Sequence, residues 1–358
     1  MKNILQCLFG AGLLLIISCS TDNNIDIAIA PHEQLSAYHF FVGDIAKLVP
    51  NERVLPYDLN SPLFSDYAKK SRFVWMPEGT SATYVENKVL GFPEGAVLIK
   101  TFYYENDERD AAAGRRLIET RLLVKGNTDW AAHSYIWNEE QTEAYLEVIG
   151  AIKDVNWIDA TGKAHKVDYI VPNKNQCKGC HYNKGKQEPI GPKVRNLNKE
   201  SIYADGASNQ LAKWAKVGYL KGYDANKATP KLADYRVAGS GSLHKRAMAY
   251  LDVNCGHCHN PNGPANTTGL NLVANADLNM ALGLWKAPVA AGVGTGGFAY
   301  SIVPGKPEIS ILPYRMSSTD PGAMMPELGR RMVHHDGVAL IEEWIREMKP
   351  INKELKIY

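Results

Sequence analysis

Residues 242–259 have the sequence SLHKRAMAYLDVNCGHCH, and this stretch decides the architecture of the C-terminal part of the chain. Ser242 is of a residue type that caps helix N-termini. The apolar residues that follow recur at helical spacing and share one face: Leu243, Ala247, Tyr250 and Leu251. We therefore predict a helix over residues 243–254 that leads directly into a pentapeptide of cysteine and histidine.

The chain carries this type of pentapeptide twice. One is Cys177-Lys178-Gly179-Cys180-His181, and the other is Cys255-Gly256-His257-Cys258-His259. C-x-x-C-H is the attachment motif of c-type haem, in which two thiols add to the haem vinyl groups and the adjacent imidazole binds the iron. We expect two covalently bound haem c groups, attached through Cys177, Cys180, Cys255 and Cys258, with His181 and His259 as iron ligands.

Other uses of paired cysteines explain this pattern less well. Two C-x-x-C pairs that share a zinc ion are usually about 15–20 residues apart, whereas 74 residues separate Cys180 from Cys255. Zinc also leaves the two following histidines unexplained. Thioredoxin-like redox pairs need a βαβ context, which is not evident here, and a disulfide within C-x-x-C is strained and easily reduced.

A second helical pattern lies at the end of the chain. After Gly337, residues 338–348 carry an apolar stripe of Leu340, Ile341, Trp344, Ile345 and Met348, and Asp336 is a candidate cap. Residues 241–349 thus begin with a helix that leads into the second motif and end with an amphipathic helix. This arrangement resembles a class I cytochrome c, which implies that the two helices cross beside the haem.

The resemblance to class I cytochromes c also implies a methionine as the sixth iron ligand, in a loop before the last helix. Residues 322–330 are such a loop, and Met325 lies 66 residues beyond His259 and precedes a proline. We predict Met325 as this ligand in preference to Met324, because Pro326 restricts the backbone of the residue before it. His334 and His335 are competing candidates, although their position favours surface residues.

The first motif follows a region with strand signals. Residues 96–104, 117–124 and 132–137 are rich in β-branched and aromatic side chains, and residues 155–171 predict a hairpin that turns at 159–162. Residues 139–149 are the exception in this region, because they are predicted to form a helix. The sequence therefore indicates an α+β protein, with an N-terminal, mainly-β haem domain followed by an all-α, class I cytochrome c-like domain.

Four segments of the chain resemble an uncharacterised family of bacterial di-haem c-type cytochromes: residues 56–67, 92–102, 119–122 and 175–181. The likeness covers roughly residues 35–350 and implies a secreted or lipid-anchored electron-transfer protein. The Phe-Pro-x-Gly segment before the first motif is also weakly similar to cytochrome P460 proteins, β-sheet haem proteins with an open iron position. That second likeness would bring Lys100 near the first haem, although a surface lysine is the simpler interpretation.

The sixth ligand of the first haem is left open by the sequence. Met76, His133, His165 and an open position are the candidates. An open position would permit catalysis.

The N-terminus predicts export. Lys2, a short apolar stretch and the ending Ile16-Ile17-Ser18-Cys19 resemble the lipobox of bacterial lipoproteins. The resemblance implies a signal peptide over 1–18, which includes Cys7, and lipidation of Cys19. We expect a protein of the bacterial periplasm or cell envelope, anchored to a membrane by lipid, with the outer membrane favoured.

Composition limits the classes of partner. The 358 residues carry a net charge of +2 and are 45% hydrophobic, which argues against a disordered chain and gives no overall sign of nucleic-acid binding. Locally, residues 161–200 contain nine Lys and Arg against three acids, a balance of +6. Such a basic segment near a haem predicts neutralised propionates or an acidic redox partner protein.

We divide the chain into a signal peptide (1–18), a tether with a helix (19–49), a β-rich haem-binding domain (50–200), a helical connector (201–240) and a cytochrome c-like domain (241–358). The connector contains a predicted amphipathic helix with Leu211, Trp214, Ala215, Val217 and Leu220. We expect an electron-transfer protein. The alternative is a haem oxidase or peroxidase that acts at an open first haem, with the second haem as electron relay.

Overall fold

The computed structural model describes residues 25–27 and 30–349. In chain order its strands are β1 (Leu55–Pro56), β2 (Lys69–Trp75), β3 (Ala82–Thr83), β4 (Val97–Glu105), β5 (Arg115–Lys125), β6 (Trp130–Trp137), β7 (Ala144–Glu147), β8 (Ala151–Ile158), β9 (Ala164–Val171), β10 (Tyr182–Asn183), β11 (Lys186–Gln187), β12 (Glu200–Tyr203), β13 (Gly206–Asn209) and β14 (Leu220–Lys221).

The α-helices are α1 (Lys174–His181), α2 (Val194–Leu197), α3 (Gln210–Lys216), α4 (Leu243–Asn254), α5 (Ile311–Ser317) and α6 (His335–Glu347). Short 3-10 turns lie at Leu35–Tyr38, Ile45–Lys47, Ala111–Ala113, Ala238–Ser240, Asn266–Thr268, Met280–Leu282, Gly292–Thr295 and Pro307–Ile309. In the described part of segment 19–49, where we predicted a helix, the structure has only the two short turns Leu35–Tyr38 and Ile45–Lys47.

An antiparallel sheet in the order β1-β2-β4-β5-β6-β7 forms the centre of the N-terminal half. Its register places Phe73, Ile99 and Leu122 side by side, and all three are buried in one apolar cluster. Because successive side chains of a strand point to opposite faces, the neighbouring residues Arg72, Lys100 and Arg121 form a row on the other face. The sheet therefore has one apolar face and one face with a stripe of cations.

The predicted strands over 96–104, 117–124 and 132–137 are β4, β5 and β6 of this sheet. The predicted hairpin is β8–β9, and its turn at 159–162 is closed by the Asp159 side chain.

The helix predicted over 139–149 is wrong. The Asn138 side chain accepts hydrogen bonds from the backbone of Thr142 and Glu143, which makes a turn, and Gln141 adopts a positive φ of 57°. Strand β7 then pairs with β6 and buries Ala144, while Val148 and Ile149 are exposed. The apolar spacing that suggested a helical face thus belongs to an edge strand.

The segment 201–240 packs against the sheet domain along much of its length. It begins with the β12–β13 hairpin, and α3 buries Leu211 and Trp214 in the cluster that contains Val74 and Leu98. Val217, which we predicted on the apolar face, is 42% exposed. Leu232, Ala233 and Tyr235 already belong to the apolar cluster of the C-terminal half, upstream of the boundary predicted near residue 240.

Helices α4 and α6 contact each other in the C-terminal half. Helix α4 spans the predicted residues, and the Ser242 side chain accepts a hydrogen bond from the Lys245 backbone. Gly337 lies inside α6, where an added Cβ would be 2.4 Å from the Tyr250 hydroxyl, so glycine permits the close approach of the two helices. Asp336 is not the cap we predicted: it lies in the first turn of α6, which begins one residue earlier.

The two halves are joined by buried polar contacts. The Asp66 carboxylate accepts hydrogen bonds from the backbone of Arg331 and Met332, and the Tyr67 hydroxyl donates to the Val333 carbonyl. Arg195 donates two hydrogen bonds to Asp252 of α4, at 2.8 and 3.0 Å. The contacts of Asp66 and Tyr67 hold the loop before α6 against the sheet domain, and the Arg195–Asp252 pair holds α4 there.

The architecture mixes helix and sheet, in agreement with the predicted α+β class. None of the helices within the described ranges has the length and apolar character that a bilayer crossing requires. The signal peptide predicted over 1–18 and the lipidated Cys19 lie outside the described residues.

Candidate functional site

The first motif lies on α1, directly after strand β9. Asn173 and Gln176 form a reciprocal capping box that starts the helix, so that Cys177 and Cys180 follow one turn apart. Both cysteines and His181 line a cavity of about 320 Å³, which we call the first cavity. Strands β2, β4 and β5 and the loop before α6 supply much of its remaining wall.

The surroundings of His181 fix the position of its ring proton. Its Nδ1 lies 2.8 Å from the Glu188 carbonyl oxygen. A carbonyl oxygen only accepts, so Nδ1 carries the hydrogen and Nε2 keeps its lone pair. A backbone acceptor of this kind is the usual partner of a metal-binding histidine.

The second motif follows α4 and lines a second cavity of about 370 Å³. Gly256 is required at its position in the motif, because an added Cβ would be 2.9 Å from the carbonyl oxygens of Asp252 and Leu272. Apolar side chains from the helices and loops supply most of the wall: Leu270, Leu272, Leu282, Ile302, Ile311, Leu312 and Met316.

His259 has the same tautomer as His181, for a different reason. Its Nδ1 lies 3.1 Å from the Thr268 hydroxyl, which donates its own hydrogen to the Ala265 carbonyl at 2.7 Å. The hydroxyl must therefore accept from Nδ1, and the Nε2 lone pair of His259 is left free. Both motifs thus present a neutral imidazole with one nitrogen available for a metal.

Burial keeps these groups in the uncharged form. It lowers the pKa of His181 to about 3, with nearby Lys100 as the next cause, and lowers the pKa of His259 to about 4. Burial also raises the pKa of Cys255 and Cys258 to about 12. The four motif cysteines are free thiols in the structure.

The adjacent methionines of the loop before α6 line different cavities. Met325 lines the second cavity, with Cys255, Cys258 and His259, whereas Met324 lines the first cavity. The Arg330 guanidinium holds this loop, because it donates to the carbonyl oxygens of Arg315, Ser318 and Met325. The sequence offered no signal for the separation of the two methionines.

The other candidate ligands lie in different surroundings. Met76 is fully buried in the apolar cluster with Val74, and His165 pairs with Asp159 at 2.7 Å. His334 stacks on the Phe64 ring at 4.1 Å, between the two halves. His133 borders the first cavity. Its register partner Leu122, however, belongs to the apolar face of the sheet and not to the face that carries the row of cations.

Lys100 lines the first cavity and is not the surface lysine that the simpler interpretation expected. Burial, followed by the charges of Arg121 and Arg72, lowers the pKa of Lys100 to about 7. Lys70, Arg72 and Arg121 line the same cavity, and sequence reasoning missed all three. The alternation of side chains along each strand could have assigned each residue to one face of its own strand. It could not have given the register between strands, which brings these residues together.

The two cavities adjoin. Cys180, Glu327 and Leu328 line both of them, and an added Cβ at Gly179 would be 3.6 Å from a methyl group of Leu328. The loops that follow the motifs also meet, because the Lys184 backbone donates to the Asn262 carbonyl. The tertiary structure thus brings together two motifs that are far apart in the sequence.

Within the described ranges, no three His, Cys, Asp or Glu side chains converge as a metal site built from such ligands alone would require. No family model, curated protein or solved structure matches this chain. The function is therefore argued from the two cavities themselves.

Proposed function

We propose that this chain is an extracytoplasmic di-haem c-type cytochrome that transfers electrons. One observation carries the proposal: each C-x-x-C-H motif lines a cavity with two free thiols and with an imidazole whose Nε2 is available to a metal. The volumes of about 320 and 370 Å³ lie in the range of cofactor pockets.

In this proposal Cys177 and Cys180 attach the first haem, and Cys255 and Cys258 attach the second. His181 and His259 would bind the haem iron. Their pKa values support this role, because a histidine must be neutral to bind a metal. The acceptors Glu188 and Thr268 hold the two rings in one tautomer and one orientation.

Met325 would be a further ligand of the iron at the second site. It shares a cavity with His259, and the Arg330 guanidinium supports its backbone through the Met325 carbonyl at 2.9 Å. A thioether ligand raises the reduction potential of a haem. The largely apolar wall of this cavity supports the same effect, because apolar surroundings of a metal site influence its potential.

Bound haem would supply iron that changes by one electron between its ferrous and ferric states. The chain's own residues would attach the group, and they fix the orientation of the two imidazoles. Since Cys180, Glu327 and Leu328 line both cavities, groups held in the two cavities would be neighbours. This proximity supports electron exchange within one protein molecule.

The proposal includes the finer architecture. The region 50–200 would be the β-rich haem domain, and 241–358 the cytochrome c-like domain, in which the contact between α4 and α6 supports the likeness. A lipid anchor at Cys19 would hold the protein at a membrane of the bacterial cell envelope. The partner would be a redox protein with an acidic surface, attracted by exposed lysines near the first motif such as Lys178, Lys184 and Lys186.

The test is expression of the full chain in a bacterium that attaches haem c in its periplasm. We expect a haem-to-protein ratio of two that survives denaturation, and a low-spin His/Met signature for one haem by electron paramagnetic resonance. Absence of covalent haem from folded, exported protein would overturn the proposal. A high-spin first haem that turns over peroxide or oxygen would favour the oxidase or peroxidase alternative.

A further inference from the structure

The first cavity concentrates positive charge. Among the described residues that line it, the basic ones outnumber the acidic ones six to one: Lys70, Arg72, Lys100, Arg121, Arg330 and Arg331 against Glu327. The second cavity has Lys286 and Arg315 against the same Glu327. An excess of this size in a partly buried space is costly unless an anion enters it.

Two of these cations already have internal partners. Arg72 pairs with Asp58 at 3.0 Å, and Arg121 pairs with the fully buried Glu119 at 2.6 Å. Glu119 also accepts a hydrogen bond from the Tyr169 hydroxyl. These pairs leave little charge on Arg72 and Arg121 for a ligand.

The two lysines of the same sheet face are not paired in this way. In the described part of the chain, no carboxylate lies within 4.0 Å of the Lys70 or Lys100 ammonium. The Lys70 ammonium donates to the Ala68 carbonyl, and both ammonium groups lie over the Phe102 ring, at 5.7 and 5.0 Å. They therefore retain hydrogen-bond donors for a group inside the cavity, and an anionic group there would favour their charged form.

Arg330, from the loop before α6, adds a third cation to the wall of the first cavity. Its side chain is buried, and its Nε is without a hydrogen-bond partner among the described residues, although its terminal nitrogens bind backbone carbonyls. The Arg330 guanidinium therefore contributes positive charge to the wall of the first cavity, where an anionic group would be stabilised.

We propose that Lys70, Lys100 and Arg330 form a carboxylate-binding seat in the first cavity, which takes the two propionate groups of the haem attached at Cys177 and Cys180. This inference rests on the proposed function. A small free anion, such as a substrate oxyanion, has the same recognition chemistry and is the competing source. Propionates are favoured because the attachment residues line the same cavity as the seat.

The experiment uses the full-length protein, with the haem-to-protein ratio measured first on the wild type. A wild type without covalent haem refutes the proposed function before the seat is tested. With two haems present, the midpoint potentials are measured by spectroelectrochemistry in Lys70→Met and Lys100→Met variants. The first haem is identified as the one whose potential Met325→Ala leaves unchanged.

We expect both variants to lower the potential of the first haem and to leave that of the second unchanged, because an unpaired propionate favours ferric iron. Lys100→Arg should restore most of the wild-type value. The matched control is Lys69→Met: Lys69 lies next to Lys70 on the opposite strand face, where it pairs with Glu105 and Glu108, and it should change neither potential.

Unchanged potentials in both methionine variants at full haem content would overturn the seat. If Lys100→Met loses the first haem, the haem content of Lys100→Arg is the deciding measurement. A restored haem content supports the positive charge of residue 100 as the cause, and a continued loss contradicts it. The free-anion source is tested by titration of the wild type with formate, nitrite and sulfite. A saturable change at the first haem that Lys100→Met abolishes would overturn the propionate assignment, and no change supports it.

Discussion

The two C-x-x-C-H motifs lie in surroundings of different kinds. The first is carried by the eight-residue helix α1, between a strand and a sheet face with a row of cations. The second follows the twelve-residue helix α4, in a cavity with mostly apolar walls from helices and loops. The same five-residue motif thus presents the same thiols and imidazole in both places, while its neighbours differ in charge and in side-chain type.

This difference separates the properties of a site that the motif itself sets from those that its surroundings set. The spacing of the thiols and the position of the histidine are local: helix α1 sets them in the first motif, and in the second a turn does so, in which the Cys258 and His259 backbones donate to the Cys255 carbonyl. The other side chains that line each cavity come from distant parts of the chain: Met325 for the second cavity, and Lys70 and Lys100 for the first. We therefore expect similar attachment chemistry at the two sites and different redox properties.

The largest expected effect is the loss of one haem group when both thiols of a motif are removed. Cys177→Ala with Cys180→Ala should leave one covalent haem, and Cys255→Ala with Cys258→Ala should leave the other. The measurement is the mass of the denatured protein together with its haem absorbance. Two haems in either double variant would contradict the assignment of that site. Loss of both haems from one pair would show that the sites do not load independently.

The methionine pair tests whether the two cavities differ in axial ligand. Met325→Ala should abolish the low-spin His/Met signature of the second haem and lower its potential, because the thioether favours ferrous iron. Met324→Ala is the matched control, since Met324 lines the other cavity. It should leave the second haem unchanged in spectrum and potential. The reverse result would exchange the roles of the two residues.

The contact between the two regions is tested through pH. Burial, followed by the charge of Lys70, lowers the pKa of His334 to about 4, below the value near 6.5 of the unfolded chain. Between pH 4 and pH 6.5 the unfolded state binds more protons at this histidine than the folded state does. The free energy of unfolding therefore has its full value above about pH 6.5 and falls as the pH drops toward 4. At one pKa unit per 1.36 kcal/mol, the loss is at most about 3 kcal/mol.

The variant His334→Phe should make the free energy of unfolding less dependent on pH in this window, since its ring can still stack on Phe64. Denaturant unfolding at several pH values, followed separately by haem absorbance and by tryptophan fluorescence, is the measurement. His335→Gln is the control, because His335 is exposed. An unaltered pH slope in His334→Phe would show that this histidine does not link protonation to folding.

The smallest expected effect concerns docking of an acidic partner. Of the basic residues in 161–200, Lys166, Lys193, Arg195 and Lys199 are engaged in internal ion pairs. Lys178, Lys184 and Lys186 are exposed. Lys184→Gln with Lys186→Gln should slow reduction by an acidic donor severalfold at low salt and flatten its dependence on ionic strength, because salt screens exposed charges over about 8 Å at physiological strength.

Haem content should not change in this variant. The control is Lys216→Gln with Lys221→Gln, which removes two exposed lysines from a different segment. Equal salt slopes in all three proteins would mean that the lysines near the first motif are ordinary solvated side chains. Equal slopes in the two variants, both flatter than wild type, would indicate an effect of net charge alone.

Patterns within single elements were predicted well. Helix α4 with its Ser242 cap, the strands β4, β5 and β6 and the hairpin β8–β9 follow from periodicity and turn chemistry, which act over a few residues. The helix over 139–149 failed because Asn138 makes a turn, after which pairing with β6 determines the conformation. Tertiary contacts thus determined the conformation of this segment, whose apolar pattern suited both a strand and a helix.

The sequence by itself determined the arrangement on which the proposed haem attachment rests, because two thiols and an imidazole within five residues are positioned by one turn of backbone. Only the tertiary structure decided which side chains complete each site. Met324 and Met325 are adjacent in the chain yet line different cavities, and Arg72, Lys100 and Arg121 are distant in the chain yet lie side by side. Strand register and the packing of a loop against a sheet set these positions, and both depend on contacts between residues far apart in sequence.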